Sequence, residues 1–145
     1  MANAAEAEIR ALIDERLAAI RDKDAHRAMR GIAEDVVAFE MVPPLALPPG
    51  AANDEQAFAA WLAGFEQIAI EVRDLVIEAD DKLAFAHALH HLAGTRIGGV
   101  PVDLWLRSTL CFCRDAEGWK IVHAHSSVPF YPGPELRAAV DLKPA

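Results

Sequence analysis

Histidine is the residue type in this chain that most invites a chemical reading. Five of the six histidines fall in two stretches, His87, His90 and His91 in one and His123 and His125 in the other. On an extended strand His123 and His125 share a face, because successive side chains alternate. Two imidazoles are a start on a metal site, but zinc needs a third and a fourth ligand. No carboxylate stands at ligand spacing beside the pair, so neither a metal nor another cofactor is expected. Arg107 is a fixed cation that needs a carboxylate, from Asp103, from Glu40, from a ligand or from a second subunit. Glu40 stands directly before a proline-rich stretch, beside apolar Met41, Val42 and Leu45. A carboxylate at such a rim is suited to general-base work. There is no phosphate-cradling glycine loop, no nucleophile elbow and no CxxC pair. The only serines are Ser108, Ser126 and Ser127, a poor basis for a serine triad.

These residues need elements to hold them. Ile9, Leu12, Ile13, Arg16, Leu17 and Ile20 recur at helical spacing, so a helix is expected over 5–23. Asp24 is placed to cap a second helix over 25–32, and Asn53 or Asp54 a third over 54–65, with Phe58, Trp61, Leu62 and Phe65 on one face. The β-branched and aromatic run 36–41 reads as a short strand. Pro43, Pro44, Pro48, Pro49 and Gly50 then exclude regular structure. Four strands follow near 68–79, 82–96, 101–114 and 119–129, with breaks at Asp80-Asp81, Gly98-Gly99 and Asp115 to Gly118. Each break is hairpin length, so an antiparallel meander is expected.

The strands exceed the usual five or six residues, and a long twisted sheet curls, with Gly94 a candidate bend. The expected fold is α+β: a cone-shaped, curved antiparallel sheet wrapped around three N-terminal helices, with a pocket at its open end. A three-residue turn before Trp119 sets Cys111 opposite His123, Thr109 opposite His125 and Arg107 opposite Ser127. One face then carries Asp103, Trp105, Arg107 and Thr109 beside His123, His125 and Ser127. Leu104, Leu106, Leu110 and Phe112 take the other.

Composition narrows the class. The chain has 145 residues, 53% of them apolar and 25% charged, which fits one domain over 1–145 with a sizeable core. A net charge of −8 argues against nucleic acid and anionic membrane as partners. No apolar run reaches the ~20 residues of a membrane span, and residues 1–10 lack the pattern of a signal peptide, so a cytoplasmic location is expected. Cys111 and Cys113 point the same way on one strand, where they do not easily close a disulfide. They read as reduced thiols.

The stretch RSTLCFCRDAEGWKIVHAHSSVPF resembles the closing hairpin of SnoaL-like and ketosteroid-isomerase-like proteins of the nuclear transport factor 2-like superfamily. The shared pattern is Arg107, Thr109, a glycine turn at Gly118, Trp119, then His123, His125 and Ser127. The association domain of calcium/calmodulin-dependent protein kinase II ends similarly. The segment IRALIDERLAAIRDKDAHRAMRGIAEDVVAFEMVPPL resembles the opening helices and first strand of the same superfamily. The resemblance implies a cystatin-like cone fold, a deep pocket and a homodimer packed through the sheet. Its members include isomerases, cyclases, dehydratases and non-catalytic assembly domains, and shared fold does not transfer activity. Glu40 lies near where the base of ketosteroid isomerase would fall. Its tyrosine has no counterpart, since Tyr131 lies past the last strand.

Two functions follow. The first is an isomerase, cyclase or dehydratase acting by proton transfer on a small apolar substrate. Glu40 and His125 are its candidate catalytic groups, and Trp61, Trp105, Arg107, His123 and Ser127 its candidate substrate contacts. The second is a non-catalytic ligand-binding or assembly domain.

Overall fold

A computed structural model describes residues 3–145. Helix α1 spans Ala4–Arg21 and buries Ile9, Ile13, Ala19 and Ile20. Asn3 caps it, accepting from the Glu6 amide while Glu6 accepts from Asn3 in return, so two otherwise orphaned donors are satisfied. Helix α2 is only Ala25–Ala28, capped by Asp24. It is shorter than the expected 25–32 because Gly31 turns the chain, at φ +78, into strand β1, Ile32–Phe39. Helix α3 covers Glu55–Ala63 with Asp54 as its cap.

Strands β2 (Phe65–Ala79), β3 (Leu83–Arg96), β4 (Pro101–Asp115) and β5 (Gly118–Ser127) form the antiparallel meander. The sheet order is β1-β5-β4-β3-β2, and β1 lies parallel to β5 at the edge. The parallel pairing is available because the proline-rich loop and helix α3 carry the chain away between β1 and the meander.

Bulges bend the sheet. One lies in β2 between Phe65 and Gln67, opposite Thr95 and Arg96; a second follows Arg73, where Asp74 adopts φ +58. At the first bend Gly94 is required by close approach. A Cβ there would lie 2.2 Å from the Gln67 carbonyl oxygen. The helices pack on the concave side over two clusters. Ile9, Ile13, Val36, Ile77, Phe112, Trp119 and Ile121 form one. Ala19, Ile20, Leu62, Phe65 and Ile68 form the other.

The last hairpin reaches the expected pairing by a different route. The ladder starts with Asp115 opposite Gly118, and Arg114 rather than Asp115 faces Trp119. A bulge then skips Val122, so that Cys111 meets His123, Thr109 meets His125 and Arg107 meets Ser127. The shorter turn and the bulge each shift the register by one residue, and the shifts cancel.

Candidate functional site

Strand alternation sorts the chemical residues onto two faces. Ala84, Ala86 and Ala88 of β3 are buried towards the helices, as are Leu106, Ser108 and Phe112 of β4. Side chains at odd numbers in these strands therefore face outwards. Arg107, Thr109, Cys111, His87 and Trp105 lie on the outer face, with His123, His125 and Ser127 paired beside them. Trp105, Arg107, His123, His125 and Ser127 thus stand together, as the register implied. They stand on the face away from Glu40 and Trp61, so one pocket uniting both sets does not form within a single copy.

The outer face is internally organised. Arg107 Nε donates to Ser127 Oγ at 3.1 Å and does not pair with Asp103. Asp103 instead meets His91 Nε2 at 2.7 Å, and this bond holds the carboxyl below the usual carboxylate range. The His91 ring stacks on Trp105, centroids 4.6 Å apart and nearly parallel. His123 Nδ1 lies 2.7 Å from the Val37 carbonyl oxygen, and Phe39 packs edge-on to both His123 and His125. At the Asp74 bulge the face sinks into an open depression of about 420 Å³, bordered by Asp74, Val76, His87, Leu89, Arg107 and Thr109. Among the described residues no three histidine, cysteine or acidic side chains converge as metal ligands would.

The concave side holds Glu40 and Trp61 together with Arg16 and His90, to which the sequence reading gave no site role. Arg16 sits inside the apolar stripe of α1 and reaches inwards. It donates through Nη1 to the Ala28 carbonyl oxygen and lies over the Phe58 ring, 5.4 Å from its centroid. Burial lowers its pKa, and the Glu40 carboxylate opposes that effect. Glu40 is the residue after β1; alternation from buried Val36 and Ala38 puts it on the helix side of the sheet, with its side chain exposed. It forms no hydrogen bond or ion pair among the described residues. His90 of β3 pairs with Val72 and faces the interior. Burial, reinforced by the Arg16 charge, pushes its pKa down to about 4, so the ring is neutral at pH 7. Trp61 on α3 is 38% exposed, beside Phe58 (5.6 Å) and edge-on to Phe65 (5.2 Å).

The signals for these residues were present in the chain. An arginine inside an apolar helical stripe is costly to bury, and a histidine in line with three small alanines on one strand face is unusual.

The fold and the sequence point the same way. Residues 9–131 match the SnoaL-like domain family. The chain belongs to that family. No curated protein matches it. Among solved structures, this SnoaL-like chain is similar to an NTF2-like protein of unknown function from Pseudomonas putida, with 29% identity, 99% of each chain covered and a TM-score of 0.85. It is also similar to a candidate ketosteroid isomerase from Shewanella frigidimarina, at 23% identity and TM-score 0.63, over 86% of this chain and 95% of that one. A candidate dehydratase of the NTF2-like family from Streptomyces avermitilis matches at 16% identity and TM-score 0.72, over 85% and 95%. Among the described residues of the SnoaL-like chain, no helix is long and apolar enough to cross a membrane.

Proposed function

We propose that this protein binds a small, largely apolar molecule on the concave side of its sheet and acts on it by proton transfer, with Glu40 as the base. The observation that carries this reading is a carboxylate at the end of β1 with no hydrogen-bond or ion-pair partner among the described residues, on the side where α1 and α3 present Arg16, Phe58 and Trp61. A base must be free to accept a proton, and an unpaired carboxylate is. In the step, Glu40 takes a proton from a carbon next to a carbonyl, and the C–H electron pair moves onto the carbonyl oxygen. His125, on the outer face, has no part in that step. Neighbours named as candidate isomerase and dehydratase agree with such chemistry but share only the fold.

The outer face supports a homodimer. Phe39, Val76, Leu83 and Phe85 lie on it and are 37–59% exposed. These large apolar side chains stand exposed among the histidines, Thr109 and Arg107, and a partner would cover them. A second copy seated there would cover the Arg107, Trp105, His123 and Ser127 surface, making these residues interface groups. We further read the chain as one domain acting in the cytoplasm; both cysteines are free thiols there, in keeping with a reducing compartment.

Deuterium wash-in tests the reaction. With 2-tetralone in D2O, wild-type protein should accelerate exchange at the carbon next to the carbonyl, and Glu40→Gln should lose roughly 10²–10⁴-fold of that rate. Exchange no faster than buffer, or unchanged in Glu40→Gln, would refute the proton-transfer reading. Binding of 2-tetralone without exchange would favour the non-catalytic alternative.

A further inference from the structure

The guanidinium of Arg16 is a largely desolvated charge. It is part-buried between α1, α2 and Phe58 of α3, yet among the described residues it forms no ion pair. An arginine has five N–H donors in a planar fork. Here one donation is accounted for, to the Ala28 carbonyl oxygen, and the ring of Phe58 covers one face. A buried cation normally has a carboxylate against it, because the desolvation cost is otherwise uncompensated. The acid whose charge reaches it, Glu40, stays outside hydrogen-bond range. Arg16 nevertheless retains some exposed surface, so water or a ligand can reach it. Tying α1 to α2 would need one hydrogen bond to a carbonyl, which a neutral side chain supplies at lower cost.

We propose that Arg16 is an anion-binding subsite on the concave side, and that the ligand is a small apolar or aromatic carboxylic acid bound as its carboxylate. This deepens, and rests on, the reading that the concave side is the binding site. The carboxylate fits the free part of the guanidinium fork, and the apolar body lies against Phe58 and Trp61. The neutral ring of His90 adds no competing charge. Anion recognition, which the sequence pattern assigns to Arg107, passes to Arg16, because Arg107 is on the outer face and is held by Ser127.

The test is a matched pair of probes, 2-naphthoate and the uncharged 2-naphthamide, titrated calorimetrically into the full chain. Wild-type protein should bind 2-naphthoate roughly ten- to a hundredfold more tightly, as a charge-assisted fork to a carboxylate implies. Arg16→Met should erase that preference and leave 2-naphthamide binding in place. Arg16→Lys should lose most of it, since the charge stays but the fork goes. Arg107→Met should leave it intact. Equal affinity of wild type for the two probes overturns the anion subsite while the concave binding site stands. A preference that survives Arg16→Met, or vanishes in Arg107→Met, overturns it as well and moves the anion to the outer face. Binding of neither probe overturns both the subsite and the concave site. Should Arg16→Met fail to fold, the Arg16 Nε–H resonance of the wild type decides. It should shift with 2-naphthoate and stay with 2-naphthamide; no shift at saturation refutes the proposal.

Discussion

His90 and Arg16 are two cationic side-chain types placed against one interior wall, and the fold resolves the conflict by keeping only one of them charged. Burial is the larger cause of the histidine's neutrality, and the fixed Arg16 charge adds to it. With the folded pKa near 4 and an ordinary value of 6.5, the unfolded chain takes up a proton between those limits and the folded chain does not. Stability is therefore full above pH 6.5 and falls as the pH drops towards 4. His90→Gln should remove that part of the acid sensitivity, on the order of 3 kcal/mol between pH 7 and pH 4. Denaturant unfolding of both proteins across that range checks it, and parallel curves would contradict it. Trp119 was legible at this scale. Its position after a glycine turn predicts a residue capping the core edge, and the ring is 7% exposed with Nε1 donating to Glu8 Oε2 at 2.8 Å.

Among the elements, β2 and β3 carry the curvature that makes a concave side at all. Gly94 allows the two strands to close where β2 bulges after Phe65, and the Gln67 carbonyl occupies the space that a side chain would need. Gly94→Ala should destabilise the protein by about 1–3 kcal/mol or more, since backbone has to move to accept the methyl group. A melting temperature equal to wild type would show that the bend tolerates a side chain. The expected role of Gly94 follows from its place in a long strand pattern. The bulges themselves were not legible. A bulge inserts one residue without changing residue type, so Val122 in β5 and Glu66 in β2 resemble ordinary strand residues. The hairpin register came out right because the bulge at Val122 offset the shorter turn.

For the molecule as a whole, the outer face is where the proposed homodimer would form. Phe85, 45% exposed on that face, is opposite Cys111 and two residues from His87. Sedimentation equilibrium at micromolar concentration should give twice the 15.7 kDa chain mass, and Phe85→Glu should give a folded monomer by placing a charge in the contact. Wild-type protein that sediments only as monomer would refute the homodimer. The C-terminal segment bears on the same face. Arg73 of β2 donates to the Ala145 carbonyl oxygen at 3.2 Å, and Lys143 comes near enough to Asp103 of β4 for its charge to be felt. Chain beyond β5 thus returns across the outer face, leaving the Phe85 and His125 end for a partner.

Local periodicity is what the amino-acid sequence by itself determined. A period of 3.6 marks α1 and α3, a period of two marks the strands, and caps and glycine turns mark their ends. Together these specify a curved meander with helices, and they specify that Arg107, His123, His125 and Ser127 share a face. Which face the helices cover was decided only by tertiary structure. Both faces of β4 carry large apolar residues, Leu104, Leu106, Leu110 and Phe112 on one and Trp105 on the other, so neither announces itself as interior. The choice depends on contacts between α1 and β2, about fifty residues apart in the chain, and no short-range pattern encodes such a contact. That choice puts the histidine and Arg107 face outside the helices and leaves Arg16 and His90 on the covered side, where the proposed site lies.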